Sequence, residues 1–160
     1  MYLDHMLEGL DYICLKGEIH SNITELVYDS RKVVPGSVFV CISGAVSDGH
    51  SYIPQVVEKG AVAIIIEKDV ELADDTILIK TDNTRKALAY MSAAYFGHPA
   101  RKLKTIGITG TKGKTTAAYM IRSILEKNGR KTGLIGTIET IIGERSIPAN
   151  NTTPESYVLQ

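Results

Sequence analysis

Gly107-Ile108-Thr109-Gly110-Thr111-Lys112-Gly113-Lys114-Thr115-Thr116 decides how this chain is read, because an apolar segment, residues 103–108, runs into it and a helical pattern follows it. A phosphate-binding loop needs that order. A strand delivers the loop, and glycines let the backbone wrap an anion without Cβ clashes. The following helix then points its unpaired N–H groups and positive dipole end at the phosphates. Lys114 is the candidate catalytic cation, placed to reach β- and γ-phosphates, and the Thr115 hydroxyl is the candidate ligand of the Mg²⁺ that accompanies ATP. Gly110, Thr111, Lys112, Gly113, Lys114, Thr115 and Thr116 together form the expected nucleotide cradle.

The glycine spacing departs from the standard phosphate-loop signature. That signature places glycine five positions before Gly113, where this chain has Ile108; its glycines stand at 107, 110 and 113. Gly-Lys-Thr alone also occurs by chance in surface loops. Strand, glycine-rich loop and amphipathic helix in succession are what raise this copy above chance.

The 160 residues suffice for one ordinary domain or two small ones, and a hydrophobic content of 44% is enough to build cores. Eighteen basic and eighteen acidic residues balance. No long-range field draws in nucleic acid or an anionic membrane, so neither is an expected partner, and any bound anion has to be held by local geometry. Cys14 and Cys41 lie in apolar surroundings without a Cys-x-x-Cys or His-rich neighbourhood, and both are expected to be buried, reduced thiols. The first ten residues carry acids rather than a basic region followed by an apolar run, and no stretch approaches the ~20 apolar residues of a membrane span. A cytoplasmic, monomeric protein is the expectation.

Outward from the loop, strands and helices alternate, which predicts an α/β fold. Leu3, Met6, Leu7 and Leu10 space a short amphipathic helix. Residues 24–28 read as a strand ending in Asp29-Ser30-Arg31, and Val34-Pro35-Gly36-Ser37 as a type II turn. Residues 38–42 form a continuous apolar strand that empties into the polar loop 43–50. A helix over 51–59 tolerates Pro54 near its first turn and is stopped by Gly60. Residues 61–66 and 77–79 are further strands. Asp82 or Asn83 caps a helix whose face carries Leu88, Met91 and Tyr95 and which Gly97 and Pro99 end.

Residues 97–102 are the best linker, which divides the chain into a first domain, 1–102, and a second, 103–160. The second is read as strand 103–108, the loop, a helix 115–128 with Ile121, Ile124 and Leu125 as its stripe and Gly129 as its stop, and a strand 131–137 parallel to the first. A parallel sheet needs both faces covered, and little follows here. Thr153 reads as an N-cap and Pro154 as the first residue of a helix near Gln160. The second domain is therefore expected to be the incomplete start of a larger one, with the chain an N-terminal piece of a longer polypeptide.

Five motifs in order carry a family resemblance: Asp29-Ser30-Arg31; Pro35-Gly36-Ser37-Val38-Phe39-Val40; Gly44 with Asp48-Gly49-His50; Gly110-Thr111-Lys112-Gly113-Lys114-Thr115-Thr116; and Asn151-Thr152-Thr153-Pro154. Through them essentially the whole chain resembles the N-terminal portion of the Mur ligases, in the branch that adds the third amino acid to the muramyl peptide precursor of peptidoglycan. The unusual glycine spacing is that family's version of the loop, with Lys112 at a position usually held by Asn.

The resemblance implies a small N-terminal α/β domain, 1–102, for the uridine diphosphate end of the substrate, followed by the start of an ATP-binding, parallel-sheet domain. It implies that Tyr28 and Ser30 contact the uracil and ribose region, where an aromatic face and a hydroxyl suit a base. The residues alone equally fit a turn closed by Asp29, Ser30 and Arg31. Ser47 corresponds to a loop on the diphosphate side, although some relatives have His-Gln-Ala where this chain has Ala45-Val46-Ser47. Asn151, Thr152 and Thr153 match a substrate-binding tripeptide, while Thr153 by itself reads as an ordinary cap. His50 could act as a base or could serve in capping and packing.

The implied reaction is ATP-dependent amide ligation. The γ-phosphoryl of ATP activates a carboxylate of UDP-N-acetylmuramoyl-L-alanyl-D-glutamate as an acyl phosphate, and the amine of meso-diaminopimelate or L-lysine displaces phosphate. In relatives the remaining metal ligands, the adenine pocket and the amino-acid domain lie later than Gln160, so these 160 residues are expected to be inactive alone. A uridine-nucleotide-binding module without catalysis and a small phosphate-loop NTPase are the alternatives.

Overall fold

The apolar runs around Val38, Ala63 and Ile77 are too short for helices and too continuous for a sheet wetted on one face, so they belong in the middle of a sheet covered on both sides. The structure, a computed structural model, describes residues 1–44, 47–72, 75–149 and 153–160. It divides into two compact units, Met1–Lys102 with Gln160, and Leu103–Leu159.

In the first unit, a short helix α1 (Leu3–Met6) precedes strands β1 (Ile13–Lys16), β2 (Leu26–Val27) and β3 (Val38–Val40). Helix α2 (Ile53–Glu58), strands β4 (Ala63–Ile66) and β5 (Ile77–Lys80) and helix α3 (Thr84–Tyr95) complete it. The sheet has the order β1-β5-β4-β3-β2. Strands β2 to β5 are parallel, with Val38 beside Ala63 and Ile64 beside Leu78, and β1 runs antiparallel to β5. The α/β expectation is met.

Alternation along the strands sorts the side chains. Phe39, Cys41, Ile64, Ile66 and Leu78 meet Ile53 and Val56 of α2 on one face. Val38, Val40, Ile65 and Ile79 point to the other, where α3 brings Leu88 and Met91 and α1 packs behind it. Ile64, Ile65 and Ile66 are all fully buried. Each contributes about 1.5–3 kcal/mol relative to an exposed side chain. Tyr95, expected on the buried stripe of α3, is only half-buried, and Thr84, Ala87 and Ser92 share the stripe instead.

The helix stops are local chemistry. After α2, α3 and α4 (Lys114–Lys127), glycines 60, 97 and 129 take φ of +88°, +72° and +71°. In each case the glycine N–H and the next N–H fold back onto the last turn: Gly60 to Val57 and Ala61 to Val56, Gly97 to Ala94 and His98 to Ala93, Gly129 to Glu126 and Arg130 to Leu125. This paired closure satisfies carbonyls the helix leaves open, and the left-handed position favours glycine. The Val34–Ser37 turn forms as expected, with Gly36 at φ +84° and the Ser37 N–H donating to the Val34 carbonyl at 3.1 Å.

Two further features of the first unit depart from the sequence reading. β1 was not foreseen, since at the sheet edge Ile13 and Leu15 stay 63% and 46% exposed and carry no burial pattern. Cys14 lies on that strand and is exposed rather than buried, whereas Cys41 is buried as expected.

The second unit contains α4, strands β6 (Gly133–Ile135), β7 (Glu139–Ile142) and β8 (Arg145–Pro148), and the four-residue helix α5 (Ser156–Leu159). Its sheet is antiparallel, in the order β6-β7-β8. Residues 103–108, expected as a strand parallel to 131–137, take part in no ladder. β6 pairs with β7 through Leu134 and Ile141, and these two are the buried apolar side chains among the described residues of this unit. A backbone segment becomes a strand only where a neighbour accepts and donates its hydrogen bonds. The expected stripe of α4 is also uncovered: Ile124 is 61% exposed, while Ile121 and Leu125 are half-buried. α5 begins at Ser156, two residues beyond the expected Pro154.

Candidate functional site

The loop Gly110–Thr116 closes onto the first turn of α4. Gly113 is the N-cap of that 14-residue helix and sits in the left-handed region at φ +76°, and no atom lies within 4 Å of where its Cβ would be. The Gly113 carbonyl starts the helix by accepting the Ala117 N–H at 2.9 Å. No side chain caps α4. The first N–H groups of a helix lack partners within it, so at the end of α4 they are donors for an anion.

Lys114 folds back across the loop and donates from Nζ to the Gly110 carbonyl at 2.6 Å. That contact ties the loop's start to the helix. An arriving phosphate oxygen would replace a neutral carbonyl with an anionic acceptor, a stronger partner for an ammonium group. Lys112 is exposed, Thr115 is half-buried and Thr111 and Thr116 are exposed. An open loop, a left-handed glycine and a free helix end fit a polyphosphate. Among the described residues no group of three or more His, Cys, Asp or Glu side chains could hold a metal ion. Within the described residues the Thr115 hydroxyl is the group that would meet a Mg²⁺ held by phosphate oxygens and water.

In the first unit, the C-terminal ends of the parallel strands bring Tyr28 and Ser30 (after β2), Ser43, Gly44 and Ser47 (after β3), Glu67 and Lys68 (after β4) and Thr84 (after β5) to one edge. Ligands of open α/β sheets bind along such an edge. Tyr28 is half-buried and Ser30 is buried. The Ser30 carbonyl accepts from Lys59 Nζ at 2.8 Å. Asp29 caps the short 3₁₀ turn Ser30–Lys32, and its carboxylate takes a fork from Arg31 Nε (2.9 Å) and Nη2 (2.8 Å) with the Arg31 backbone N–H at 3.1 Å. The Arg31 guanidinium pushes the Asp29 carboxyl down to about 2. The side-chain-closed turn is thus formed; it sets the backbone on which Ser30 sits.

Residues 42–44 and 47–49 pair with each other at the same edge. Gly49 N–H donates to the Ile42 carbonyl and Gly44 N–H to the Ser47 carbonyl, both at 2.9 Å. A Cβ at Gly49 would lie 2.6 Å from the Ile42 nitrogen, so only glycine fits that approach. Ser47 is exposed. At the base, Asp48 Oδ1 accepts from His50 Nδ1 (2.7 Å), the His50 backbone N–H (3.1 Å) and Ser43 Oγ (3.3 Å), and Oδ2 meets Lys68 Nζ at 2.5 Å. The Lys68 ammonium first, and then His50, hold the Asp48 carboxyl well below the usual carboxylate range.

Across the ring, His50 Nε2 lies 3.2 Å from the Glu67 nitrogen and 3.4 Å from the Lys68 nitrogen. Backbone nitrogens can only donate, so Nε2 accepts, and the proton sits on Nδ1, facing Asp48. Both ring nitrogens are engaged, and the side chain is only 8% exposed. His50 is a packed bridge here, with no free nitrogen for a substrate proton. Glu67 continues the chain of contacts by accepting from Thr84 N–H (3.2 Å) and Oγ1 (3.0 Å) at the start of α3. Burial raises the Glu67 carboxyl, but hydrogen bonds from Ser43 and Thr84 outweigh it and the net shift is downward. The sequence separated Asp48 from Lys68 by twenty positions, and only the Asp-x-His spacing hinted at part of this group.

Of the C-terminal tripeptide, Asn151 and Thr152 lie outside the described residues, and Thr153 is exposed at a bend before α5. Gly110 to Thr116 are contiguous in the second unit, and Tyr28, Ser30 and Ser47 share the sheet edge of the first.

The family model "Mur ligase family, catalytic domain" matches residues 22–96, and "Mur ligase middle domain" matches residues 108–160. A UDP-N-acetylmuramoyl-L-alanyl-D-glutamate–2,6-diaminopimelate ligase of Clostridium perfringens is 52% identical over 159 residues, covering 99% of this chain and 33% of that protein. The ligase of the same name from Clostridioides difficile is 48% identical over 160 residues, 100% of this chain and 33% of its own length. The chain thus spans about a third of these relatives. Among solved structures, one of a ligase with that name has a TM-score of 0.73 at 19% identity, over 99% of this chain and 32% of that one. A UDP-N-acetylmuramoylalanyl-D-glutamyl-2,6-diaminopimelate–D-alanyl-D-alanyl ligase of Acinetobacter baumannii has a TM-score of 0.58 at 28% identity, over 86% of this chain and 29% of that one.

Proposed function

This chain belongs to the Mur ligase family, and from that premise we propose that it serves an ATP-dependent ligase joining meso-diaminopimelate to UDP-N-acetylmuramoyl-L-alanyl-D-glutamate in the cytoplasm. Residues 1–102 hold the uridine diphosphate end, through Tyr28, Ser30 and Ser47. Residues 103–160 begin the ATP-binding domain, with Gly110 to Thr116 around the phosphates, Thr115 toward Mg²⁺ and Asn151, Thr152 and Thr153 toward the muramyl substrate. Diaminopimelate rather than lysine is favoured because the relatives at 52% and 48% identity carry diaminopimelate in their names.

ATP supplies a γ-phosphoryl group to the substrate carboxylate, and the amine then displaces it as phosphate. The chain's own part is positioning and charge. The amides of α4's first turn and Lys114 neutralise phosphate oxygens, and preorganised groups aimed at developing charge are the main source of catalysis in phosphoryl transfer. Lys114 has to leave the Gly110 carbonyl to do so.

The observation that carries this reading is the left-handed Gly113 capping an uncapped 14-residue helix behind Lys114, in a chain 52% identical to a diaminopimelate ligase. Calorimetry on the 160-residue chain tests it. UDP-N-acetylmuramoyl dipeptide should bind, Mg²⁺·ATP should bind and lose at least about tenfold in affinity in Lys114→Ala, and the uridine ligand should be unaffected by that change. No peptide bond should form. ATP hydrolysis without uridine binding would instead mark a small phosphate-loop NTPase.

A further inference from the structure

We propose that His50 is a positioning residue: its neutral imidazole, protonated on Nδ1, pins the paired segments 42–44 and 47–49 to the end of β4 and so presents Ser47 and the Gly44 backbone to the diphosphate of the uridine substrate. The substrate in that statement rests on the uridine-binding reading, whereas the pin rests on geometry alone.

The ring spans both sides, beside the ion pair from Lys68 to Asp48 that joins them at the surface. Nδ1 reaches Asp48 at the base of the paired segments (2.7 Å), and Nε2 takes the N–H groups of Glu67 (3.2 Å) and Lys68 (3.4 Å), where β4 ends. Asp48, Glu67 and Lys68 are the charged groups facing it, and each is itself committed: Asp48 to Lys68 and Ser43, Glu67 to Thr84. Gly49 closes against the Ile42 and Cys41 backbone, so segment 47–49 has no room to settle another way. A buried imidazole accepting from two main-chain donors supports those donors only in one tautomer. Gly44 and Ser47 are then held from the base of their segments, as binding loops on rigid scaffolds are.

Two substitutions divide the ring's roles. Gln at this position keeps an acceptor near Nε2, and Asn keeps a donor near Nδ1; Ala keeps neither. In the wild-type chain, ¹⁵N–¹H correlation of the imidazole should show Nδ1 protonated and Nε2 bare. In His50→Ala, the Glu67, Lys68 and Gly49 amides should exchange about tenfold faster while Ile64 and Ile65 in the same sheet stay protected. His50→Gln should restore Glu67 protection, and His50→Asn should not. UDP-N-acetylmuramoyl dipeptide affinity should fall about tenfold in His50→Ala and recover in part in His50→Gln.

A protonated Nε2 in the wild type, or unchanged exchange in His50→Ala, overturns the pin. Loosened segments with unchanged uridine affinity overturn the positioning role. If the wild type binds no uridine ligand while tautomer and exchange behave as expected, the substrate half falls with the uridine-binding reading and the pin stands. Should His50→Ala fail to fold, the tautomer and the Gln and Asn variants decide the same question.

Discussion

Residues 63–66 and 103–108 both read as strands, and they end in opposite conditions. The first lies between β3 and β5 with every side chain fully buried. The second joins no ladder, and its Leu103 and Ile106 are 66% and 60% exposed. Residues 63–66 are uniformly apolar, while 103–108 mix Leu103, Ile106 and Ile108 with Lys104, Thr105 and Gly107. A strand is a relation between segments, and β4 has two parallel neighbours while 103–108 has none among the described residues. The same contrast separates the two candidate loops. Segments 42–44 and 47–49 are fixed at the end of a sheet, whereas Gly110–Thr116 is ordered by its own glycines and by the helix that follows.

Truncation tests that contrast most strongly. Phe39→Ala, at a side chain 1% exposed in the first core, should cost about 3–5 kcal/mol. Ile124→Ala, at 61% exposure on α4, should stay within about 0.5 kcal/mol. Chemical denaturation of the two variants measures both, and equal losses would mean that the second unit has a core like the first.

Glycines sharpen it further. In Gly49→Ala the new methyl meets backbone 2.6 Å away, and the loss should be about 1–3 kcal/mol with segment 47–49 displaced. Gly129→Ala meets nothing within 4 Å but keeps φ at +71°, so conformation alone should cost about 1 kcal/mol. A thermal melt that ranked Gly129→Ala above Gly49→Ala would reverse the assignment of the tighter loop. Asn83→Ala removes the side chain that accepts the Lys86 N–H at 2.9 Å at the start of α3, and should cost about 1 kcal/mol.

The smallest effect is set by pH. Arg31 lowers the Asp29 carboxyl from an ordinary 3.8 to about 2. A lowered carboxyl stabilises the fold above its unfolded value and loses that contribution as pH falls through the folded one. Wild type should therefore exceed Asp29→Asn in stability at pH values above about 4, with the gap closing toward about 2. A gap that widened on acidification would contradict the fork.

Much of this was legible from residues because it is local. Gly60, Gly97 and Gly129 announce left-handed helix stops, Asn83 a cap, and Val34-Pro35-Gly36-Ser37 its turn, each by the preferences of a few bonds. The five motifs likewise carried the family resemblance that the two family models bear out. β1 escaped because an edge strand with exposed Ile13 and Leu15 shows no burial pattern. The β7–β8 hairpin escaped although a signal existed: Gly143, at φ +58° and followed by Glu144, stands between two β-branched runs as the first central residue of a two-residue turn.

The sequence by itself determined the α/β class, the positions of helix ends and the glycines of the loop before α4, since these depend on backbone preference and periodicity over a few neighbouring residues. Only the tertiary structure decided which apolar segments found partners, and that His50 joins Asp48 to the end of β4. Pairing and burial depend on what the rest of the chain brings into contact, and no short window of residues contains that information.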